Sequence, residues 1–267
     1  MHADLVARVE RVAADDRHGA SWLGKEALAT LVEAVRLGED PLETARALVR
    51  TRPAIGAIAG ALGRVLVAGW TPEQLVEEAN AVVAGRERAA ATIAVILSEE
   101  LAGKVVMTHS ASATDREALI HGNPQRVVCT VSDPVGEGRT FSEELGETGL
   151  ATELVADEDA ERAVATVGLL LLGADTVFRD GSLVNKINTK GLTKAAKDAG
   201  VPVVVACEVL KLAPDDPYEP DEDRVDLTPP AQIDRYVTEE GVCAPDEIAA
   251  LVDRTPFLRE GYELLHG

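Results

Sequence analysis

The feature that most narrows the folds open to this chain is a change of rhythm at Lys104. From there on, short apolar-rich runs alternate with helical stretches. Val105–Met107, Val127–Cys129, Ala151–Val155, Leu169–Leu172 and Val201–Ala206 read as strands, with a shorter one at Leu183–Val184. Helices are predicted between them, near 113–121, 141–148, 157–166 and 192–199. A strand that is apolar on both sides leaves no face for water. Such strands alternating with helices specify an α/β fold with a mostly parallel sheet covered by helices on both faces. Crossovers in such a sheet are right-handed, and ligands are expected beyond the carboxyl ends of the strands.

Before Lys104 the pattern is helical throughout. Leu5, Val6, Val9 and Val12 keep helical spacing, as do Leu28, Leu31, Val32 and Val35, then Ala54, Ile55, Ile58 and Leu62, then Leu75 and Val76. Turn signals separate them at Asp16–Ser21, Gly38–Pro41, Arg52-Pro53 and Trp70-Thr71-Pro72, with Pro53 suited to a first helical turn. Two domains are therefore expected: a helical N-terminal domain over residues 1–102, and a Rossmann-like domain over 103–267 with a ligand pocket at its strand ends. The acidic stretch Asp215–Asp226 is expected to be a solvated loop.

Charge limits the partners. The formal net charge is −20 and the sequence pI about 4.6, with seven lysines against nineteen arginines. A hydrated acidic surface of this kind suits a high-salt cytoplasm, where molar salt shrinks the Debye length to about 3 Å. Nucleic acid is not an expected partner, because phosphates would be repelled over most of the surface. Cys129, Cys207 and Cys243 show no paired spacing, which excludes a disulfide framework and a zinc knuckle. No metal and no cofactor are expected. The start of the chain has neither the basic nor the apolar part of a signal peptide, and no apolar run approaches the roughly 20 residues of a membrane span. The expected location is cytoplasmic, without membrane association.

Polar residues gather where strands should end. Thr108-His109-Ser110-Ala111-Ser112 follows the first strand and Thr130-Val131-Ser132-Asp133-Pro134 the second. Gly173-Ala174-Asp175 follows the fourth, and Cys207-Glu208 with Lys211 the fifth. Four of the seven lysines (Lys186, Lys190, Lys194 and Lys197) fall in one twelve-residue window, which points to an anion site at a helix start. The alternative for the last three is a basic helix face balancing nearby acids. Asp175 is either functional or a cap, and His109 either a general base or the partner of buried backbone groups. Cys129, inside a strand, reads as a buried apolar residue. Arg17-His18-Gly19-Ala20-Ser21 is either a backbone phosphate cradle or a helix-linking turn.

Taken together these segments resemble the superfamily that unites the α, β and δ subunits of translation initiation factor 2B with methylthioribose-1-phosphate isomerase and ribose-1,5-bisphosphate isomerase, in a haloarchaeal-type form. Gly173-Ala174-Asp175, Asp180-Gly181 and Val184-Asn185-Lys186-Ile187-Asn188-Thr189 are similar to its G-A-D…N-G…N-K-I-G-T signature, with Asn188 in place of glycine. Val201-Pro202 through Glu208 and Lys211 resembles its P-F-Y-V-A-A-E-x-x-K segment. Asp226-Leu227-Thr228-Pro229-Pro230 with Glu239-Glu240-Gly241-Val242 resembles its D-x-T-P-P…E-E-G-V ending. The resemblance runs from Arg17 to Leu251.

The resemblance implies a phosphorylated small molecule, a sugar phosphate or nucleotide, as ligand. Homo-oligomers or related subunits are the implied protein partners. In the isomerases a cysteine and the G-A-D aspartate do the chemistry; here these positions are Ser110 and Asp175. A serine hydroxyl is a far weaker acid than a thiol, whose ordinary pKa is about 8.5. It needs a nearby base to take part in proton transfer. Asp133 stands where the family has an arginine, and His18 where the isomerases have one before Gly-Ala. Carried over position by position, the ligand-binding set is Arg17, Gly19, Ala20, Ser21, Arg52, His109, Glu137, Asn185, Lys186 and Lys211, with Glu137 on a loop. Three functions remain: a non-catalytic initiation-factor-2B-like regulator, an aldose–ketose isomerase with an altered site, or a purely structural or assembly role without a small-molecule ligand.

Overall fold

The computed structural model describes residues 1–69, 71–220 and 223–267. Trp70, in the turn expected before Pro72, and Asp221 and Glu222, in the acidic stretch, lie outside the described residues.

The chain opens with α1 (Ala3–Ala14), α2 (Ala20–Arg36), α3 (Pro41–Thr51), α4 (Gly56–Ala68) and α5 (Pro72–Leu101). Local chemistry accounts for their starts. Asp40 accepts the amides of Leu42 and Glu43, with Pro41 in the first turn of α3. Thr71 and Gln74 form a reciprocal capping box on α5. Pro53 departs from expectation. Helix α3 runs to Thr51 and α4 begins only at Gly56, so Pro53 sits in the connecting turn, and Ala54 and Ile55 precede the helix.

The second pattern follows with β1 (Val105–Thr108), α6 (Ala113–Gly122), β2 (Arg126–Thr130), α7 (Glu137–Glu147) and β3 (Thr152–Val155). Next come α8 (Ala160–Val164), β4 (Leu169–Leu172), β5 (Thr176–Phe178), β6 (Leu183–Lys186), α9 (Thr189–Asp198) and β7 (Val203–Ala206). The chain ends through β8 (Leu212–Ala213), β9 (Val225–Thr228), β10 (Arg235–Thr238), β11 (Gly241–Cys243), α10 (Ile248–Asp253) and α11 (Pro256–His266).

Seven strands form the main sheet in the order β11-β10-β7-β4-β1-β2-β3. Every neighbouring pair is parallel except β10 with β11. Alternate residues of one strand enter different cores. Leu170, Leu172, Val203 and Val205 pack with α8, α9 and α10 on one face. Leu169, Leu171, Val204 and Ala206 pack with α5, α6 and α7 on the other. This double burial is why the strands read as uninterrupted apolar runs. Strand order reverses between β1 and β4, the switch point where such sheets open a crevice.

A second sheet, β8-β5-β6-β9, was represented in the sequence only by β6. It holds a β5–β6 hairpin around Asp180-Gly181, with Gly181 at φ +83°. Asp226 lies within β9, so the acidic stretch does not stay a loop to its end. The core of the helical part includes Phe178, Val184, Ala213, Val225, Tyr262 and Leu265 from later in the chain. Among the described residues, no helix is long and apolar enough to cross a membrane.

Helix α4 rests directly on the turn Val209–Lys211. A Cβ on Gly60 would collide with the carbonyl oxygen of Leu210. Gly60→Ala therefore forces backbone apart, at an overpacking cost of about 1–3 kcal/mol. For a chain this long that corresponds to a melting temperature lower by roughly 3–10 °C. Calorimetry in molar KCl measures it, and an unchanged midpoint would contradict the contact.

Candidate functional site

The carboxyl ends of β1, β2, β4 and β7 and the start of α2 surround a cavity of about 750 Å³. The structure brings all the sequence-derived positions to its wall. Arg17, Gly19, Ala20, Ser21 and Arg52 come from the helical part; His109, Ser110, Glu137, Asp175, Asn185, Lys186 and Lys211 come from the strand ends and their loops.

One side of the wall is a hydrogen-bonded chain. Ser110, with φ +68°, donates its amide to Ser132 Oγ (2.9 Å) and its hydroxyl to Glu137 Oε1 (2.7 Å). Lys186, only 8% exposed, pairs with the same Glu137 carboxylate at 2.8 Å. Glu137 is held by the first turn of α7, and not by a loop. Gly136 supplies the left-handed entry, and Gly138 packs so tightly on β2 that a Cβ would strike the Thr130 carbonyl. The helix thus begins a turn earlier than its apolar residues indicate. Asn185 donates to Thr189 Oγ1 at 3.3 Å.

His109 is a satisfied core residue. Nδ1 meets Thr130 Oγ1 at 2.7 Å and Nε2 meets the Ile187 carbonyl at 2.8 Å. Burial holds its pKa below the usual value, against the raising effect of the Ile187 carbonyl and Asp157, so the ring is neutral near pH 7. Both nitrogens are engaged, which leaves it no free base for proton transfer.

The opposite side carries a buried charge cluster. Arg86 of α5 binds Glu208 through Nη2 (2.9 Å) and Nε (3.0 Å), and donates to the Ser21 carbonyl at 3.0 Å. Ser21 and Thr114 hydroxyls also reach Glu208, each at 3.4 Å. Burial raises the pKa of Glu208, but Lys211 and Arg86 outweigh it and keep the group ionised. Lys211 is 2% exposed, yet its ammonium makes no hydrogen bond or ion pair among the described residues. Beside it lies Asp115, fully buried, with neither carboxylate oxygen hydrogen-bonded. Burial pushes Asp115 up to about 7, with the charge of Lys211 and the nearby Ser112 hydroxyl pulling the other way.

Helix α2 opens onto the cavity at Gly19, with no side-chain cap and no acid in its first turn. The amides of Ala20 and Ser21 have no partner within the helix, the usual condition for holding an anion. His18 stacks on Trp22 (4.0 Å between ring centroids) and meets Asp15 at 2.8 Å. Arg52 donates to the Asp15 carbonyl at 2.5 Å.

Some expectations are corrected. Asp133, at the position where the resemblance puts an arginine, does not line the cavity; it is exposed, and its amide binds Asp157 at 2.6 Å. The lysine window does mark a helix start, but the anion at α9 belongs to the protein. Asp226 accepts the Lys190 amide at 3.2 Å, while Lys194 and Lys197 pair with Asp198 and Asp234. Cys129 is buried, and burial pushes its thiol up to about 11, in keeping with an apolar role. Arg116, Arg224 and Asp115 were missed. Arg116 lies one turn into α6 after Ser112, which could have signalled it, whereas Arg224 is hidden in the acidic stretch. Among the described residues, no group of three His, Cys, Asp or Glu side chains is placed to hold a metal ion.

The profile of the initiation factor 2 subunit family matches residues 17–224. The chain belongs to that family. A ribose 1,5-bisphosphate isomerase of Haloferax volcanii is 32% identical to it, covering 78% of this chain and 76% of the relative. A Pyrococcus horikoshii protein described as a putative translation initiation factor eIF-2B subunit 2-like protein is 30% identical, over 73% and 75%. The crystal structure of the P. horikoshii OT3 translation initiation factor eIF-2B shares the fold, with a TM-score of 0.83, 23% identity, and coverage of 92% and 98%. The family thus includes both isomerases and initiation-factor-like proteins.

This family member should show the titration of Asp115 in its stability. The folded pKa lies above the ordinary 3.9, so folding holds a proton that the unfolded chain releases between pH 4 and 7. Stability from this group is full below about pH 4 and is lost as pH rises toward 7, at up to about 1.4 kcal/mol per pH unit. Asp115→Asn removes that dependence. Denaturant titrations at pH 5 and pH 8 should show the variant gaining on wild type by roughly 2 kcal/mol or more; parallel profiles would refute the assignment.

Proposed function

We propose that this chain binds a small phosphorylated sugar or nucleotide in the cavity and acts as a non-catalytic, ligand-sensing relative of the initiation factor 2B subunits. The observation that carries this reading is Lys211, a buried ammonium opening on the cavity with no internal anion bonded to it. A buried cation is costly unless something pairs with it, and Glu208 and Asp115 act on Lys211 only from beyond bonding distance, which leaves its ammonium hydrogens for an anionic ligand. The uncapped start of α2, with Arg17 and Arg52 beside it, offers a second anion contact across the cavity. Two contacts suit a ligand with negative charge at one or both ends.

The absence of turnover follows from Ser110. Its hydroxyl donates to Glu137, and that carboxylate is tied to Lys186, so the local base is already neutralised by a cation. Proton shuttling between adjacent sugar carbons needs an acid–base pair near the working pH, and a serine hydroxyl is a far weaker acid than a thiol. In the cell we propose that the protein works in a salt-rich cytoplasm, as a homo-oligomer or with related subunits. A second reading, ribose-1,5-bisphosphate isomerisation by Asp175 with another acid–base partner, is favoured by the Haloferax volcanii relative, an isomerase 32% identical to this chain.

Thermal-shift titration in molar KCl with ribose 1,5-bisphosphate, ribose 5-phosphate, methylthioribose 1-phosphate and AMP separates the two. A ligand at 100 times its Kd should add about 2.7 kcal/mol of stability. Lys211→Met should weaken binding about 10- to 100-fold, the loss expected for a charge-assisted hydrogen bond. Binding without conversion supports the sensing role, conversion of ribose 1,5-bisphosphate to its ketose establishes the isomerase, and no binding refutes both.

A further inference from the structure

Asp115 was absent from the sequence-derived site, and the binding reading above does not use it. It is fully buried in the first turn of α6, behind the cavity wall. The Ser112 hydroxyl accepts its backbone amide at 3.2 Å, but neither carboxylate oxygen has a hydrogen-bond donor. Other groups close on it from each packed element. Gly173, at the end of β4, sits so near that a Cβ would lie 3.5 Å from Oδ2. From the turn after β7, Lys211 supplies the one strong charge acting on it. Glu208, in the same turn, is committed to Arg86 of α5, Ser21 of α2 and Thr114 of α6. Arg116, further along α6, is engaged by Glu144 of α7 at 3.5 Å.

Lys211 therefore serves two buried carboxylates, Glu208 and Asp115, and also faces the cavity. Glu208 also draws on the charge of Lys211, but it keeps Arg86, Ser21 and Thr114 as bonded partners when an anion claims Lys211. Asp115 has no such reserve. We propose that binding of a phosphate-type anion at Lys211 is coupled to uptake of one proton by Asp115, which makes Asp115 a positioning residue that sets the pH dependence of the site. An anion drawn to Lys211 adds negative charge near Asp115 and claims the cation that tempers it. A buried carboxylate left in that state is costly, and taking a proton from solvent removes the cost. Affinity then falls as pH rises above neutrality, by up to tenfold per pH unit. The inference rests on the binding reading above.

Isothermal titration calorimetry tests it with ribose 1,5-bisphosphate in molar KCl at pH 8.3, where phosphate monoesters are already dianions. Two buffers of differing ionisation enthalpy report the protons exchanged. Wild-type protein should take up between about half a proton and one proton, and its Kd should rise between pH 7 and pH 9. Asp115→Asn should bind with no uptake, with a Kd independent of pH and several-fold lower than wild type at pH 8.3. The wild-type buffer comparison stands even if the variant folds poorly. Binding with equal heat in both buffers overturns the coupling and leaves the binding reading intact. Equal uptake by wild type and Asp115→Asn does the same by placing the proton elsewhere. No binding overturns both.

Discussion

The Arg86–Glu208 ion pair is the constraint from which the rest of the cavity wall takes its shape. Both side chains are almost fully out of water, and removing two charges from solvent costs several kcal/mol apiece before any attraction is counted. The pair persists because its remaining bonding capacity is used. Arg86 also donates to the Ser21 backbone, and Glu208 also accepts from Ser21 and Thr114. Three helices from different parts of the chain are thereby fixed to the turn after β7. The same turn carries Lys211 and supports α4 at Gly60. Loss of Glu208 would leave Arg86 buried without its counter-charge, so the start of α2 and the turn that carries Lys211 depend together on one contact.

On the other side of the cavity the ordering element is backbone conformation. Ser110 and Ser132 both adopt positive φ, uncommon for side-chain-bearing residues, and the Ser132 hydroxyl accepts the Ser110 amide. Each turn therefore holds the other in place, and the Ser110 hydroxyl is delivered to Glu137. The left-handed Gly136 and the close packing of Gly138 fix Glu137 in turn. A thiol at this position would meet the same carboxylate.

How much of this was readable in the sequence depends on how each segment earns its burial. Strands β1, β4 and β7 are buried on both faces, so their apolar runs announced them to within a residue or two. Helices α7 and α9 were read late by about a turn. Their first residues are held by polar and backbone contacts, Gly138 on β2 and Thr189 on the Lys186 carbonyl, which leave no apolar period. The second sheet escaped notice because its strands are two to four residues long and β6 and β9 contain Asn185, Lys186 and Asp226. The cavity residues were recoverable because they follow strand ends, where topology collects them. Asp115 was not, since a carboxylate in a first helical turn reads as a solvated helix-dipole partner until the packing of Gly173 against it is seen.

The acidity of the chain and the cationic character of the cavity are compatible because they act over different distances. Arg17, Arg52, Arg116, Lys186, Lys211 and Arg224 line the cavity against four carboxylates, Asp16, Glu137, Glu144 and Asp175. Glu137 pairs with Lys186, Glu144 with Arg116 and Asp16 with Arg224. Lys211 makes none of these pairings and is 2% exposed. In molar salt an exposed charge is screened within about 3 Å, so the acidic surface ceases to matter to an anion a few ångströms away. A charge inside the wall is screened much less, and its attraction persists where ions cannot enter. In dilute buffer the same surface would repel an approaching phosphate over about 10 Å or more. In molar salt an extreme surface charge can thus coexist with a cavity wall in which lysine and arginine outnumber the acids.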